Sequence, residues 1–450
     1  MPERAHTEPL YTAAEMRAAE ERYPGYPGSA PELMERAGAA VAREALAAFP
    51  DAQSFAVVCG GGANGGDGRI AARLLREAGR DAVETHAVEG ADVIVDALFG
   101  TGFAGQPRPE AAALIERMNA AGAPIVAVDL PSGVDASTGE IAGAAVRAAT
   151  TVTFHAPKVG LAVAPGLFRA GDVVVADIGL AGGETEHRLV RRDVLELLPW
   201  KEPADTKYTA GSVLLVGGAP GLTGAVCLAA EAAFRADAGY VAVAVPAAAL
   251  GVVEARLLEP VKRTWDQIDE AAERAGAVAI GPGLGRTPEA GELVARLLRG
   301  LEVPVVLDAD ALHGLEPGAW RPPVVLTPHA GELGRLLGDA PAWVDAHRLE
   351  AARRAADRFG CVCLLKGADT IIAAPGEATL VCLANAPALA TAGSGDVLTG
   401  VLAAYLAKGL EPRLAAAAAA TATAEAARRV PFAAGVIASD VVAALPTIRS

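Results

Sequence analysis

Phe55-Ala-Val-Val-Cys59-Gly60-Gly-Gly-Ala63-Asn64-Gly65-Gly66-Asp67-Gly68 is a short apolar run followed by glycines that enclose an asparagine and an aspartate. Beyond it, Ile70, Leu74 and Leu75 fall on one face of a helix. Strand, glycine turn and helix make the βα unit of an open parallel sheet. Upstream, Thr12 and Glu15 form a capping box that opens one helix, and Leu33 begins a second that runs to about Phe49. Downstream, Ala91-Asp-Val-Ile-Val-Asp96-Ala-Leu-Phe-Gly100 and Pro124-Ile-Val-Ala-Val-Asp129-Leu-Pro-Ser132-Gly133 are two more strand ends, with a helix near 109–121 between them. Apolar runs at 151–154 and 172–177 complete the sheet. Ligands of such sheets bind outside the carboxyl ends of the strands. Asn64, Asp67, Asp96, Asp129 and Ser132 therefore converge on one crevice.

The grammar then restarts. Residues 191–206 are charged and carry Pro199 and Pro203, a seam that divides the chain into domains 1–202 and 203–450. Ser212-Val-Leu-Leu-Val-Gly217 leads through a glycine turn into an alanine-rich helix. Apolar runs at 240–245, 277–280, 303–307, 324–326 and 361–365 follow. Most end in a polar or glycine cluster: Gly281-Pro-Gly283-Leu-Gly285, Asp308-Ala-Asp310, Thr327-Pro-His329-Ala-Gly331-Glu332 and Lys366-Gly367-Ala368-Asp369-Thr370. No short-period repeat is present, so the chain reads as two α/β domains in tandem and not as a solenoid.

A chain of 450 residues, 52% hydrophobic and 21% charged, is long and apolar enough for two or three full cores. Its formal net charge of −15 excludes nucleic-acid binding as a main role, but not a nucleotide pocket built from backbone N–H groups. The five cysteines, Cys59, Cys227, Cys361, Cys363 and Cys382, form no C-x-x-C pair. That argues against a zinc site or a disulfide framework and fits a reducing cytoplasm. The N-terminal residues are polar, unlike a secretory signal, and no run reaches the ~18 apolar residues of a membrane helix.

The chemistry concentrates in Ala390-Thr391-Ala392-Gly393-Ser394-Gly395-Asp396, where a glycine turn opens the apolar run 397–406. Free N–H groups at a helix start, with roughly half a positive charge from the dipole, suit an anion such as phosphate. Asp396 would repel phosphate. It is either a helix cap or a base that takes a hydroxyl proton while the turn holds a transferring phosphoryl group. The 60–68 stretch is neither a G-x-x-x-x-G-K-[ST] loop nor a clean G-x-G-x-x-G. Asn64, Asp96 and Ser132 offer only oxygen ligands, a set for a hard cation or else a hydrogen-bonded turn network. Asp129 is a proton carrier or a strand-end cap. Lys366 pairs with nucleotide phosphate or is a solvated turn lysine. His329 contacts a ligand or is a surface or cap residue, and Asp308 and Asp310 anchor a cation or water or cap the next segment. Cys361 and Cys363 read as packing.

Together these motifs resemble a known family across nearly the whole chain. Asn64-Gly65-Gly66-Asp67-Gly68, Asp96-Ala-Leu-Phe-Gly-Thr-Gly102 and Asp129-Leu-Pro-Ser132-Gly133 look like the epimerase domain that acts on hydrated nicotinamide nucleotides. The clusters at 281–285, 327–332, 366–370 and 393–396 look like its partner dehydratase domain. In this order they resemble the bacterial bifunctional NAD(P)H-hydrate repair enzymes. The resemblance implies α/β folds throughout: a Rossmann-like three-layer α/β/α epimerase domain at 1–202 and a ribokinase-like dehydratase domain at 203–450.

It also implies roles. The epimerase would interconvert the R and S hydrates of NADH and NADPH (NADHX and NADPHX), with Asp129 as proton carrier. Ala63, Asn64, Gly65, Gly66 and Asp67, with Gly100, Thr101, Gly102, Phe103, Ala104, Gly105, Gln106 and Asp129, would line its substrate site. Asn64, Asp96 and Ser132 would hold a potassium ion. In the dehydratase, Gly283, His329 and Asp396 would contact the S hydrate. Lys366, Gly367, Ala368, Asp369, Thr370 and Gly395 would hold ADP with magnesium. Asp396 would deprotonate the ring hydroxyl, the β-phosphoryl group would transfer, and elimination would return NAD(P)H with AMP and phosphate. A cytoplasmic homo-oligomer with no nucleic-acid or membrane partner is implied. Ala63 replaces the family's first asparagine, which removes one side-chain contact. Ala392 replaces a glycine, Asn385-Ala-Pro stands for Asn-Pro-Gly, and residues 415–425 lack the family's late histidine. The rival reading is a ribokinase-like small-molecule kinase with a non-catalytic N-terminal binding module.

Overall fold

The computed structural model describes residues 3–318 and 320–449. They form two compact units: residues 9–188 with 345–347 make one, and residues 3–8, 189–344 and 348–449 belong to the other. The division thus falls ahead of the proline seam. Val194, Leu195 and Leu198, from the segment read above as the end of the first domain, are buried in the core of the second unit. Three apolar side chains on the short turn Arg192–Leu197 and just after it outweigh a linker-like composition.

The first unit is built on six parallel strands in the order Asp81–Glu84, Ser54–Cys59, Val93–Ala97, Ile125–Val128, Thr150–Phe154, Asp172–Ala176. Phe55 and Val57 face helices Ala30–Ala48 and Ala63–Glu77, while Ala56 and Val58 face helix Pro109–Ala120. Alternation along the strand therefore produces the three layers. The edge strand Asp81–Glu84 was not legible in the sequence, because only Ala82 of its four residues is buried. Chain order reverses between Ser54–Cys59 and Val93–Ala97, which opens a crevice at their carboxyl ends.

The glycine stretch differs from a loop. The helix begins at Ala63, so Asn64 to Gly68 lie in its first turns. Its glycines serve close approach: a Cβ on Gly65 would sit 2.0 Å from the Gly60 carbonyl oxygen, and one on Gly68 would sit 2.4 Å from the Ala97 Cβ. The helix N-terminus is thereby pressed onto the strand ends.

Eleven strands form the other, mixed sheet among the described residues, nine of them wholly within the second unit. Val261–Thr264, Tyr240–Val245, Ser212–Val216, Ala277–Ile280, Val305–Leu307, Val324–Leu326 and Val362–Leu365 are successive parallel neighbours. Asp369–Ala373 and Thr379–Leu383 continue antiparallel, and His187–Val190 and Thr7–Leu10 complete the edge. The switch point lies between Ser212–Val216 and Ala277–Ile280. Helices Thr223–Arg235, Ser394–Ala407 and Pro412–Arg428 join one alanine-rich core. Small side chains let helices approach closely: a Cβ on Gly400 would lie 2.1 Å from the Ala229 carbonyl oxygen.

Candidate active sites

In the first unit the switch point brings the oxygen-bearing residues together. Asp96 lies within strand Val93–Ala97 and is fully buried. Its carboxylate accepts from Ser132 Oγ at 2.6 Å, from Ser132 N at 2.8 Å and from Leu98 N at 3.2 Å. Burial pushes its pKa up to about 6 against those three donors. Ser132 Oγ also accepts from Phe99 N at 2.8 Å, which ties down the start of the Gly100 loop. Asn64 packs against that loop: a Cβ on Gly100 would lie 2.8 Å from Asn64 Oδ1, and the buried Asn64 Nδ2 has no hydrogen-bond partner. Thr101 and Phe103 are half-buried, and Gly102, Ala104, Gly105 and Gln106 are exposed, as is Ala63. Asn64, Asp67 and Asp129 by contrast are buried, and the loop meets Asn64 at Gly100. The Phe99 and Phe103 rings stack 4.8 Å apart in that loop.

Asp129 adopts φ 65°, the left-handed region that aspartate tolerates better than most residues. Its Oδ1 is 2.7 Å from Lys158 Nζ and accepts from Thr153 Oγ1 at 3.0 Å. Lys158 is fully buried and also donates to Thr153 Oγ1 and to the Phe154 carbonyl, each at 2.8 Å. Asp67 faces the same group. Burial, then Asp129 and Glu20, push its pKa up to about 8, so it holds a proton at neutral pH. Glu20, from helix Ala13–Glu21, is itself raised by burial and by Asp129, against Lys158. A proton-bearing carboxyl beside a carboxylate paired to lysine is an acid–base arrangement. Sequence reasoning missed Lys158, Thr153 and Glu20. In Phe154-His-Ala-Pro-Lys158 the lysine looks like any loop lysine, and Glu20 looks like the polar face of an amphipathic helix.

In the second unit Gly393, at φ 90°, opens helix Ser394–Ala407, and Asp396 sits in its first turn. Burial pushes the Asp396 pKa up to about 7. Asp308 and Asp310 add to the shift and Lys366 opposes it. The helix has no side-chain cap hydrogen bond, so Asp396 does not cap it. Lys366 Nζ lies 2.8 Å from Asp308 Oδ1 and 3.9 Å from Glu332 Oε2. Burial works against its positive charge, but Asp308, Glu332 and Asp396 prevail and its pKa is raised. Gly395 adjoins it, since a Cβ there would be 3.4 Å from Lys366 Nζ.

The 366–370 stretch is a hairpin turn whose members divide. Gly367 and Ala368 are exposed. Asp369 points inward to Arg348, 2.9 Å away, and Arg348 also donates to the Lys366 carbonyl at 3.2 Å. Thr370 Oγ1 donates to the Gly367 carbonyl at 3.0 Å. Asp369 and Thr370 thus shape the turn that presents Lys366, Gly367 and Ala368. His329 caps helix Ala330–Leu337, its Nδ1 accepting from Gly331 N at 2.9 Å, while half of its ring stays exposed. Gly283, at φ 59°, accepts from Ala219 N at 2.7 Å, and a Cβ there would lie 2.3 Å from the Leu222 carbonyl oxygen. Asp310 accepts from Gly285 N at 3.0 Å and from Arg286 Nε at 2.8 Å, so it anchors the glycine loop. Asp308 makes no side-chain cap.

Known proteins are similar to this chain in sequence and fold. Residues 213–447 match the family model described as NAD(P)H-hydrate dehydratase, and residues 30–90 and 80–160 match that of the YjeF-related protein N-terminus. The bifunctional NAD(P)H-hydrate repair enzyme Nnr of Moorella thermoacetica is 38% identical, over 86% of this chain and 85% of its own. That of Escherichia coli is 37% identical, over 86% of this chain and 82% of its own. The ADP/ATP-dependent NAD(P)H-hydrate dehydratase of Bacillus subtilis, co-crystallised with ATP and Mg2+, is 30% identical with a TM-score of 0.52, over 57% of this chain and 95% of that one. A ribokinase-like superfamily protein of Enterococcus faecalis shares the fold of the second unit at TM-score 0.53 and 24% identity, over 60% of this chain and 98% of that one. With both domain models met in order and full-length relatives aligned across most of both chains, this chain belongs to the family of bifunctional NAD(P)H-hydrate repair enzymes.

Proposed function

We propose that this chain repairs hydrated NADH and NADPH, interconverting the R and S hydrates in the first unit and dehydrating the S form with ADP in the second. The observation that carries the dehydratase reading is Asp396, with a pKa of about 7, in the first turn of a helix and next to Lys366. Ionised Asp396 takes the proton of the ring hydroxyl. The glycine turn and Lys366 hold the β-phosphoryl group as it passes from ADP to that oxygen, releasing AMP. The C–O bond then breaks with loss of phosphate, and a proton leaves the adjacent carbon to restore the dihydronicotinamide. His329 and Gly283 face the hydrate, and the 366–370 turn with Gly395 faces ADP. Bound with the nucleotide, magnesium would supply positive charge to its phosphates.

In the first unit Asp67 gives a proton to the departing hydroxyl, which leaves as water as the ring nitrogen lone pair closes to an iminium. Asp129 takes a proton from the water that adds on the other face and passes it back to Asp67. Residues 63–67 and 100–106 enclose the hydrate. Potassium suits Asn64, Asp96 and Ser132: the set is all oxygen on the ligating side, Asp96 and Ser132 are fully buried, and the Asn64 amide has an unpartnered buried nitrogen that a reoriented side chain would relieve. When bound, the ion would supply positive charge to the Asp96 corner. The five cysteines are free and buried, which supports work in a reducing cytoplasm. Assembly as a homo-oligomer is part of the same reading.

The test is incubation with mixed R and S hydrates and ADP or ATP, following recovery of dihydronicotinamide absorbance and release of AMP or ADP. Recovery of both epimers with ADP and magnesium is expected. A stable phosphorylated product without recovered absorbance would overturn the reading in favour of a kinase.

A further inference from the structure

Asp308 closes strand Val305–Leu307 and is 1% exposed. Its Oδ1 accepts from Lys366 Nζ and from Thr327 Oγ1, each at 2.8 Å, and its Oδ2 accepts from Thr399 Oγ1 at 2.8 Å. Its backbone N–H donates to the Ile280 carbonyl at 3.1 Å. One buried carboxylate thereby joins three strand ends to the helix that carries Asp396. Thr399 lies three residues beyond Asp396, about one helical turn. Both hydroxyls point at the carboxylate, so each of its oxygens is held and the lysine has one defined partner. Glu332, at 3.9 Å, is the only other carboxylate within ion-pair range of Lys366 Nζ among the described residues.

From this network we infer that Asp308 is a positioning residue for the dehydratase reaction, holding the Lys366 ammonium against the Gly393–Gly395 turn beside Asp396. The assignment rests on the dehydratase reading above. An unanchored lysine carries several rotatable bonds and samples many positions, whereas this one is delivered to a single place at the helix start. Asp308 touches neither nucleotide nor hydrate in this scheme. It acts through Lys366 and through the charge it places near Asp396. The charged groups facing Asp396 are Asp308, Asp310 and Lys366, with Asp308 and Asp310 favouring its protonated form and Lys366 its ionised form. Neutralising Asp308 removes a carboxylate and frees Lys366 from its competing partner. Both changes favour ionised Asp396.

The experiment is a double-mutant cycle of Asp308→Asn and Lys366→Met in the full chain, read by ADP affinity in calorimetry and by the pH profile of hydrate repair. Asp308→Asn is expected to weaken ADP roughly tenfold and to move the acid limb of the profile to lower pH, neither of which follows from lost stability alone. Asp308→Asn/Lys366→Met is expected to bind ADP within about threefold of Lys366→Met, because the route from Asp308 to ADP is the lysine, whereas its direct charge effect falls on Asp396 and is read by the pH profile. That comparison needs only Lys366→Met, in which Asp308 keeps the Thr327 and Thr399 hydroxyls, and the double variant, in which both charges are gone, so it holds even where Asp308→Asn alone fails to fold. A double variant tenfold or more weaker than Lys366→Met overturns the proposal, as does a folded Asp308→Asn with wild-type ADP affinity and acid limb. ADP binding needs no turnover, so absence of repair in the wild-type chain would sink the dehydratase reading without deciding the role of Asp308.

Discussion

Gly400→Ala links packing to rate. Gly400 lies one turn beyond Asp396 on helix Ser394–Ala407, and the added Cβ would fall 2.1 Å from the carbonyl oxygen of Ala229 and 3.0 Å from its Cα. The obstacle is backbone of helix Thr223–Arg235, which cannot rotate aside as a side chain would. The helices must part by about 1 Å before the contact is tolerable. Overpacking of this kind costs about 1–3 kcal/mol. The displaced helix carries Asp396 and the glycine turn, and a shift of about 1 Å at reacting groups lowers rates on the order of 100-fold. Denaturant unfolding should show the stability loss, and ADP-dependent recovery of dihydronicotinamide absorbance should fall by that factor. Interconversion of R and S hydrates, carried by the other sheet, should continue at the wild-type rate. A folded variant with wild-type dehydratase turnover would refute the claim that this helix contact sets the position of Asp396. Wild-type stability would refute the steric argument itself.

Three further outcomes follow from the site geometry. Asp396 acts as a base only when ionised, so with its pKa near 7 dehydratase turnover should fall as pH drops below about 7 and level off above it. Asp396→Asn should abolish repair while leaving epimerisation intact, and an unchanged acid limb in a still-active variant would remove Asp396 from the role. Lys158→Met strands Asp129 in a buried site and should cost about 3–5 kcal/mol. Adding Asp129→Asn should restore most of that loss, whereas two losses that simply add would show that the pair is not coupled. Ser132→Ala removes a hydroxyl that both donates to Asp96 and accepts from Phe99 N, at a cost of about 1–3 kcal/mol. In the wild type R/S interconversion should be faster with potassium than with sodium, and Ser132→Ala should lose that difference; equal wild-type rates in the two salts would count against a potassium site.

Much of this protein was readable before any coordinates. Apolar runs that end in glycine and acid clusters are local patterns. They suffice to mark strand ends, to separate two α/β domains, and to single out Asp96, Asp129, Ser132, Lys366 and Asp396. What stayed hidden depends on pairing between distant segments. The edge strand Asp81–Glu84 has a single buried residue, so it carries no apolar run to recognise. Residues 191–206 look like a linker, but three of their apolar side chains, Val194, Leu195 and Leu198, find a core only when that core has formed around them. Asp308 and Asp310 read alike in Asp308-Ala-Asp310, yet one grips Lys366 and the other the 285–286 backbone and guanidinium.

The sequence by itself therefore determined the fold class and the family and nominated the candidate site residues, because periodicity and short motifs are properties of neighbouring residues. Only the tertiary structure decided which charges meet. It put Lys158 on Asp129, Asp308 on Lys366, and Asp369 on Arg348 rather than at the mouth of the turn. The physical reason is desolvation. A carboxyl or ammonium group changes its proton affinity and its partner according to burial and to charges brought in from other strands, and neither quantity exists until the sheet has closed.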